Sequence, residues 1–338
     1  MISGGNSTMA LTAETWPIAA SLLPFTPDPP TGAERDSAAV ERWNDVFLTV
    51  SDAGFDTIDL TDTWVPFGDL SPGQRVGMRE RIDANGLAAA SLSVIRRSVT
   101  DEQAGEENLA YSHRCIDLAA EWGVGVVSVG LHRPLNARQR AQLWFWTAAG
   151  HRDPVDDPAA WDLAVRRFRE LGRHAEDVGV LLSLEMYEHT YLGSAASAVR
   201  LVEAIGMDVV GLNPDFGNLV RLHEPIEDWR EVARQTLPYA NYWHVKNYTR
   251  DEDAATGVIA TSPTYLESGL IDYRSAVGWA IDGGFQGVIC TEHYGGDGLS
   301  MSAANRDYLR GRILPRRDYV PAPSMVRQQF PHVTEAAR

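Results

Sequence analysis

Four ionisable residues each stand at the end of a short apolar run, where a predicted strand ends. They are Glu185 after VLLSL, Asp215 after VVGLNP, His244 after YW and Glu292 after VICT. The carboxyl ends of the strands of a parallel barrel meet at one mouth, so we expect these side chains to converge. Taken singly, the histidine could be structural and a glutamate a helix cap. Together, three carboxylates and an imidazole suit hard divalent cations, with Mn²⁺ expected first and Mg²⁺ or Co²⁺ possible.

Two further residues at the same mouth are candidates for catalysis or substrate binding. His132 ends another apolar run, VSVGLH, and we predict that it acts as an acid or base; the alternative is a packed histidine that binds a loop carbonyl. Lys246 follows His244 by two residues, so in a strand both point to the same side. We predict that Lys246 holds a substrate oxyanion, and the alternative is a salt bridge to one of the acids.

Short β-rich runs alternate with amphipathic helical segments along the chain. Strands are predicted at residues 18–22, 57–60, 88–94, 126–130, 180–184, 209–212, 242–244 and 287–290, and helices at 38–53, 105–122, 158–178, 196–205, 226–234 and 273–282. Several helices end at a glycine just before a strand, which marks repeated β/α units. Eight such units predict an α/β fold of the (β/α)₈ TIM barrel type, with a doubly wound open sheet as the alternative. We divide the chain into a flexible N-terminus (1–16), a catalytic barrel (17–314) and a C-terminal extension (315–338).

Two connections are long for a barrel, residues 133–157 and 247–269. Connections of this length are often binding loops or lids. The first contains the run WFW, and we predict that Trp146 within it binds a flat group of the substrate. The alternative is an aromatic cluster that packs a lid or a subunit interface.

Composition narrows the class of protein. The 338 residues carry a formal net charge of −16, a field that repels nucleic acid and anionic membranes. Two cysteines, Cys115 and Cys290, indicate a reducing compartment without a disulfide framework. We see no signal peptide and no apolar run of membrane-spanning length, so we expect a cytoplasmic protein.

The strand-end residues resemble the metal set of the xylose isomerase-like barrels, a superfamily of sugar isomerases, sugar epimerases and endonuclease IV-type enzymes. The resemblance covers roughly residues 17–310, and its specific part is the order Glu185, Asp215, His244, Glu292. It implies proton removal next to a sugar carbonyl, with a metal on the substrate oxygens. It also implies that Glu185 and Glu292 act as bases as well as ligands.

Among three positions compared with the ketose epimerases of that superfamily, one matches their pattern and two depart from it. Arg250 lies six residues after His244, the spacing of their substrate-contacting arginine. Asn218 replaces their histidine three residues after the metal aspartate, and we expect it to face the substrate. Tyr191 replaces their glutamate six residues after the first metal glutamate. Substrate handling is therefore expected to differ from that of the epimerases.

Two segments, LNPDFGNLVRLHEPIEDW and YANYWHVKNYTRDED, resemble the larger subunit of bacterial C-glycoside deglycosidases. That resemblance implies a lyase that cleaves the C–C bond between a 3-oxo sugar and an aromatic aglycone, working as an oligomer with a small β-rich partner subunit. A sugar or inositol isomerase or epimerase is the alternative. An endonuclease IV-like phosphodiesterase is a remote one, since it needs more histidine ligands and a surface that DNA tolerates.

Overall fold

The computed structural model describes residues 10–30 and 36–330, and its centre is a parallel β-barrel. The strands of the described residues are β1 (Ile18–Ser21), β2 (Thr57–Thr61), β3 (Ala88–Ser93), β4 (Val126–Val129), β5 (Leu181–Glu185), β6 (Val210–Asn213), β7 (Trp243–Val245), β8 (Asn247–Asp253), β9 (Val258–Thr264) and β10 (Ile289–Thr291). Eight of them form one sheet in the order β6-β5-β4-β3-β2-β1-β10-β7, and all its pairs are parallel. The predicted (β/α)₈ barrel is confirmed over the open sheet, and each barrel strand lies within two residues of its predicted bounds.

Helices between the strands cover the outside of the barrel. They are α1 (Asp36–Asp52), α2 (Pro72–Ala84), α3 (Gly105–Trp122), α4 (Ala137–Arg140), α5 (Pro158–Val178), α6 (Ala195–Ile205), α7 (Gly217–Val220), α8 (Trp229–Thr236), α9 (Tyr273–Asp282) and α10 (Gly298–Tyr308). Gly123 and Gly179 end α3 and α5 with φ values of 71° and 77°, a conformation that glycine adopts without strain. Both helices have the predicted bounds because these stop signals are explicit in the sequence.

The barrel has one seam, between β6 and β7, where a single bridge joins Leu212 to Ala240. The side chain of Asn213 takes over the pairing there. Its Oδ1 accepts a hydrogen bond from the backbone N–H of His244 at 2.7 Å, and its Nδ2 donates to Ser128 Oγ at 3.2 Å. A buried amide therefore fixes the height of β7 against β6, and with it the relative position of the residues at their carboxyl ends.

Segments near both chain ends lie across the amino end of the barrel. Gln286, just before β10, accepts a hydrogen bond from Leu11 N–H at 2.9 Å, and its own N–H donates to Gln328 at 2.8 Å. Residues 1–9 of the predicted flexible N-terminus and residues 331–338 of the extension lie outside the described residues. The domain boundaries at 17 and 314 stay predictions. None of the helices in residues 10–30 and 36–330 has the length and apolar character needed to cross a bilayer.

The two long connections meet over the carboxyl end of the barrel. Residues 247–269 contain an antiparallel hairpin of β8 and β9, which the sequence reasoning did not identify. Residues 133–157 contain α4 and a short turn at Phe145–Thr147. The indole Nε1 of Trp146 donates to Thr261 Oγ1 of the hairpin at 3.2 Å. We call Trp144, Phe145 and Trp146 the aromatic lid.

Candidate active site

The four strand-end residues converge on one buried point at the carboxyl end of the barrel. Nδ1 of His244 lies 3.8 Å from Glu185 Oε1, 3.8 Å from Asp215 Oδ2 and 3.2 Å from Glu292 Oε2. Candidate ligand atoms of Glu185, Asp215 and His244 all lie within 4.8 Å of one another. The structure therefore brings the whole predicted metal set together around one imidazole nitrogen.

The hydrogen bonds behind His244 decide which of its nitrogens is free. Tyr242 lies two residues earlier on the same face, and its hydroxyl donates to Asp59 Oδ1 at 2.8 Å. The same hydroxyl oxygen lies 3.0 Å from His244 Nε2, so it accepts the proton on that nitrogen. Nδ1 faces three carboxylates and has no hydrogen bond of good geometry. Burial alone would lower the pKa of His244, but Cys290 and the carboxylates raise it well above its usual range, and a divalent cation at Nδ1 would replace the proton held there. A divalent cation fits such a point, because it is the species that a lone pair and three anions can share.

Lys246 lies beside the same carboxylates. Its Nζ is 2.6 Å from Asp215 Oδ2 and 2.9 Å from Glu292 Oε1. Burial alone would raise the pKa of Glu292, but the charges and hydrogen bonds of Lys246 and His244 together outweigh it and hold that pKa far below its usual range. The salt bridge that the sequence left as the alternative for Lys246 is present, to two acids at once. A contact of Lys246 with a substrate oxyanion stays a prediction.

His132 is buried and bonded on both ring nitrogens. Its Nε2 lies 3.2 Å from Glu185 Oε2, and its Nδ1 accepts the backbone N–H of Arg96 at 3.2 Å. The proton of the ring is therefore on Nε2 and points at Glu185. Burial alone would raise the pKa of Glu185, but the hydrogen bond from His132 and the nearby charge of Lys246 act against it, and the pKa is lowered. The predicted acid/base residue thus touches a predicted metal ligand directly.

Asn218 also touches Glu185. Its Nδ2 donates to Glu185 Oε1 at 3.0 Å and to the Met186 carbonyl at 3.0 Å. With these bonds the amide orients the carboxylate. The Oδ1 atom of Asn218 is buried without a partner, and the predicted contact with substrate is still open to it.

Arg250 is placed differently from the other candidates. Its guanidinium donates to the carbonyl of Val220 at the end of α7 and to those of Leu222 and Glu224 in the loop that follows. It also pairs with Glu252 on its own strand. Among the described residues, none of the four predicted metal ligands bonds to Arg250. Its substrate contact stays a prediction, and its observed role is to hold that loop.

The aromatic lid lies over the cluster. Trp146 is buried, stacks on Trp144 with ring centroids 5.1 Å apart, and meets the edges of Tyr248 at 5.4 Å and Tyr294 at 5.7 Å. Tyr294 follows the metal-site residue Glu292 by two positions, so the lid rests on the site itself. The cavity beside His132 has a volume of about 30 Å³, which holds water but not a sugar. Access for a substrate therefore requires the lid to move.

Sequence reasoning missed a second polar group at this mouth. Arg221 is wholly buried, and its Nη2 donates to both carboxylate oxygens of Glu188, at 3.0 and 2.8 Å. Two signals were available. Glu188 follows Glu185 by three residues in the same turn, and Arg221 interrupts the apolar run NLVRL. The Tyr242–Asp59 contact was missed because it joins strands on opposite sides of the barrel.

Comparisons with known proteins agree with this geometry. The family model described as "Xylose isomerase-like TIM barrel" matches residues 47–312. A xylose isomerase-like TIM barrel protein from Mycobacterium smegmatis, solved in complex with magnesium, is 44% identical over 89% of this chain and 97% of its own, with a TM-score of 0.84. Among curated proteins there is no significant match.

Two sugar epimerases share the fold alone. D-psicose 3-epimerase from Clostridium cellulolyticum H10, solved with D-tagatose, is 14% identical and has a TM-score of 0.61. The 3-keto-D-glucoside 4-epimerase from E. coli is 15% identical and has a TM-score of 0.59. Each comparison covers 88% of this chain and 99% of the other.

Proposed function

The chain belongs to the xylose isomerase-like TIM barrel family, and on that premise we propose that it is a divalent-metal-dependent enzyme that removes a proton next to the carbonyl of a sugar-derived substrate. One observation carries the proposal. The buried Nδ1 of His244 has no hydrogen-bond partner, and it faces the carboxylates of Glu185, Asp215 and Glu292.

Glu185, Asp215, His244 and Glu292 would hold the cation. When bound, it supplies Lewis acidity to carbonyl and hydroxyl oxygens of the substrate. The magnesium complex of the M. smegmatis relative supports a divalent ion, and Mn²⁺ stays our expectation for this chain because it accepts mixed nitrogen and oxygen ligands.

The chain's own groups provide a base and an acid beside the proposed metal site. A carboxylate of Glu292 or Glu185 takes the proton, since both are ionised in the site. His132 holds a proton at Nε2 and can deliver it. Lys246 supplies a fixed positive charge beside the carboxylates.

We propose more narrowly that the substrate is a 3-oxo C-glycoside with an aromatic aglycone. A carboxylate removes the proton on C2, which the ketone at C3 acidifies. The electron pair forms the C1–C2 double bond, and the bond from C1 to the aryl carbon breaks. The departing aryl carbon takes a proton from His132 Nε2, with the ring in its imidazolium form, so that a neutral imidazole is left. Atoms and charge balance, with an unsaturated sugar ketone and the free aglycone as products.

Three observations support this choice over a free ketose. The aromatic lid and Tyr294 offer flat apolar faces that a monosaccharide does not need. Asn218 is bonded to Glu185, where the ketose epimerases have a histidine. The hydroxyl of Tyr191, where they have a glutamate, donates to the Pro154 carbonyl at 2.8 Å. Neither position offers the group that those epimerases use.

A small β-rich partner subunit is part of the proposal. The connection that carries the lid exposes Leu143 and Val155, each with 85% of its surface free. Apolar side chains exposed beside a site entrance are suited to an interface. The partner would cover this connection and limit how far the lid opens.

A sugar or inositol isomerase or epimerase remains the second candidate, because the same acid, base and metal groups perform that reaction and epimerases share the fold. The endonuclease alternative loses support. Both groups of candidate metal ligands in the described residues contain a single histidine, His244.

The deciding assay incubates the Mn²⁺-loaded chain, with and without the product of the neighbouring gene, with oxidised C-glycosides and with common ketoses. Release of the aglycone without ketose interconversion is expected. Rapid ketose interconversion without aglycone release would replace the lyase proposal by the epimerase one. No turnover of either substrate class would remove both.

A further inference from the structure

Two guanidinium groups face one ring of the aromatic lid. The Cζ atom of Arg96 lies 4.7 Å from the ring centroid of Phe145, and that of Arg221 lies 4.8 Å from it. Both also lie near the ring of Tyr187, at 5.8 and 5.3 Å. The two arginines and these two rings form what we call the arginine box.

The charges of the arginine box do not balance. Arg221 is paired with Glu188. Arg96 donates to the Arg133 carbonyl and to the Tyr187 hydroxyl, and it has no carboxylate partner among residues 10–30 and 36–330. Two cations therefore share one acid, with Arg221 buried and Arg96 half-buried. An excess of buried positive charge is unfavourable until an anion joins it.

The hydrogen bonds are incomplete as well. Arg221 is fully buried, and its Nε and Nη1 atoms have no acceptor. The hydroxyl of Tyr248 is also buried without a hydrogen-bond partner. Nearly all buried donors in folded proteins have a hydrogen-bond acceptor, so the free N–H groups of the arginine box can bind an added acceptor oxygen.

The arginine box opens on the proposed active site. Arg96, Tyr187 and Glu188 line the same cavity as His132. Arg96 also donates its backbone N–H to His132 from a left-handed conformation with φ 59°. A non-glycine residue held in this strained conformation is typical of functional sites. A substrate bound near His132 would thus reach Arg96 directly, and Arg221 lies against the same two rings as Arg96.

We propose that Arg96 and Arg221 form a subsite for an anionic oxygen of the substrate, carried on a flat group as a carboxylate or an acidic phenol. The inference rests on the proposed function because it assigns the subsite to the same substrate. The excess positive charge selects an anion over a neutral acceptor, and the surrounding rings select a flat group. In the proposed cleavage, the aglycone would supply that group.

The test measures binding of small aromatic anions to the full-length, Mn²⁺-loaded protein and to its metal-free form. Benzoate and 4-nitrophenolate represent the two sources of the anion, and benzamide and nitrobenzene are their neutral counterparts. Calorimetry gives the affinities, and tryptophan fluorescence reports the lid through Trp144 and Trp146. The variants are R96Q and R221Q, with R138Q as the matched control because Arg138 is exposed on α4.

We expect at least one anion to bind wild type and R138Q more tightly than its neutral counterpart, with or without metal. In R96Q and R221Q the anion should bind at least about tenfold more weakly, as for a lost charge-assisted hydrogen bond, and the neutral probe unchanged. R221Q leaves Glu188 unpaired, so the double variant E188Q/R221Q serves if the single one fails to fold. The double variant should fold as the wild type does, and it should still bind the anion weakly.

Equal binding of an anion to wild type, R96Q and the Arg221 variants overturns the subsite. So does a wild type that binds neither anion more tightly than its neutral counterpart. Because these measurements need no turnover, the two proposals can fail separately. A chain that binds the anions through the arginines but converts no sugar keeps the subsite and loses the enzymatic proposal.

Discussion

Nε2 of His132 lies 3.2 Å from Oε2 of Glu185, with both side chains buried at the mouth of the barrel. The other oxygen of Glu185 faces His244 Nδ1 at 3.8 Å. One carboxylate therefore joins the proposed acid to the proposed metal. Glu185 connects the two parts of the chemistry, and each can be tested through its own partner.

His132→Ala should lower kcat on the order of 10²-fold or more, the usual loss for a general acid or base. The reason is that the proton at Nε2 has no replacement among the groups that face Glu185. Bound Mn²⁺, measured by elemental analysis, should be unchanged. Near-normal turnover with full metal content would return His132 to a structural role.

Asn218→Ala should weaken Mn²⁺ binding by roughly 10- to 100-fold, because groups that orient a metal ligand typically contribute that much. The amide of Asn218 holds Glu185 Oε1 at 3.0 Å. Calorimetric titration with Mn²⁺ measures the change. Asn85→Ala is the control, since the Asn85 amide bonds to Asn44 and Arg81 on outer helices. Equal affinities in both variants would contradict the orienting role.

Trp146→Ala should reduce kcat/KM for an aromatic C-glycoside by about tenfold or more, since the indole offers an apolar face of large area. Its stacking on Trp144 and its bond to Thr261 also set the resting position of the lid. Mn²⁺ affinity should not change. If kcat/KM stays at the wild-type level, the lid does not bind the aglycone.

Asp62 should make the free energy of unfolding fall as pH rises, whereas a carboxylate paired in the folded state has the opposite effect. Burial raises its pKa from 3.8 to about 6, despite bonds from Ile95 N–H and Arg97. The folded state then holds this proton more tightly than the unfolded state. Its contribution is present below about pH 4 and is lost as pH rises through about 6, a change on the order of 3 kcal/mol.

Urea unfolding of wild type and Asp62→Asn at several pH values isolates this effect, because the other titrating groups are common to both. The stability of wild type relative to the variant should fall as pH rises from about 4 to 7. A constant difference across that range would show that Asp62 titrates alike in both states.

The barrel could be predicted because its signals are local. Apolar runs of strand length, amphipathic segments and stop signals such as Gly123 and Gly179 repeat in order along the chain. The hairpin of β8 and β9 could not, because its strands are short of apolar residues and face solvent on much of their length. It is stabilised instead by backbone pairing and by contacts such as that of Thr261 with the lid.

The convergence of the strand-end residues followed from barrel geometry alone, and so did the meeting of His132 with them. The pairings between distant segments did not. The pairing of Tyr242 with Asp59 depends on side-chain directions across the barrel that no spacing along the chain encodes. Glu188 and Arg221 follow neighbouring strands, and the sequence marked each residue but not their pairing. Arg250 was proposed from a matching spacing; its donors hold backbone carbonyls between Val220 and Glu224, and its contact with substrate stays a prediction.

We propose that the metal lies on the Nδ1 side of His244. Its other side carries a rival set of potential ligands, Asp59 and Cys290, which approach the same imidazole. Crystals of the Mn²⁺-loaded protein, with anomalous diffraction measured at the manganese edge, separate the two directly. We expect one strong peak within about 2.6 Å of Nδ1 and of oxygens of Glu185, Asp215 and Glu292. A peak on the side of Asp59 and Cys290, or none at the barrel mouth, would contradict it.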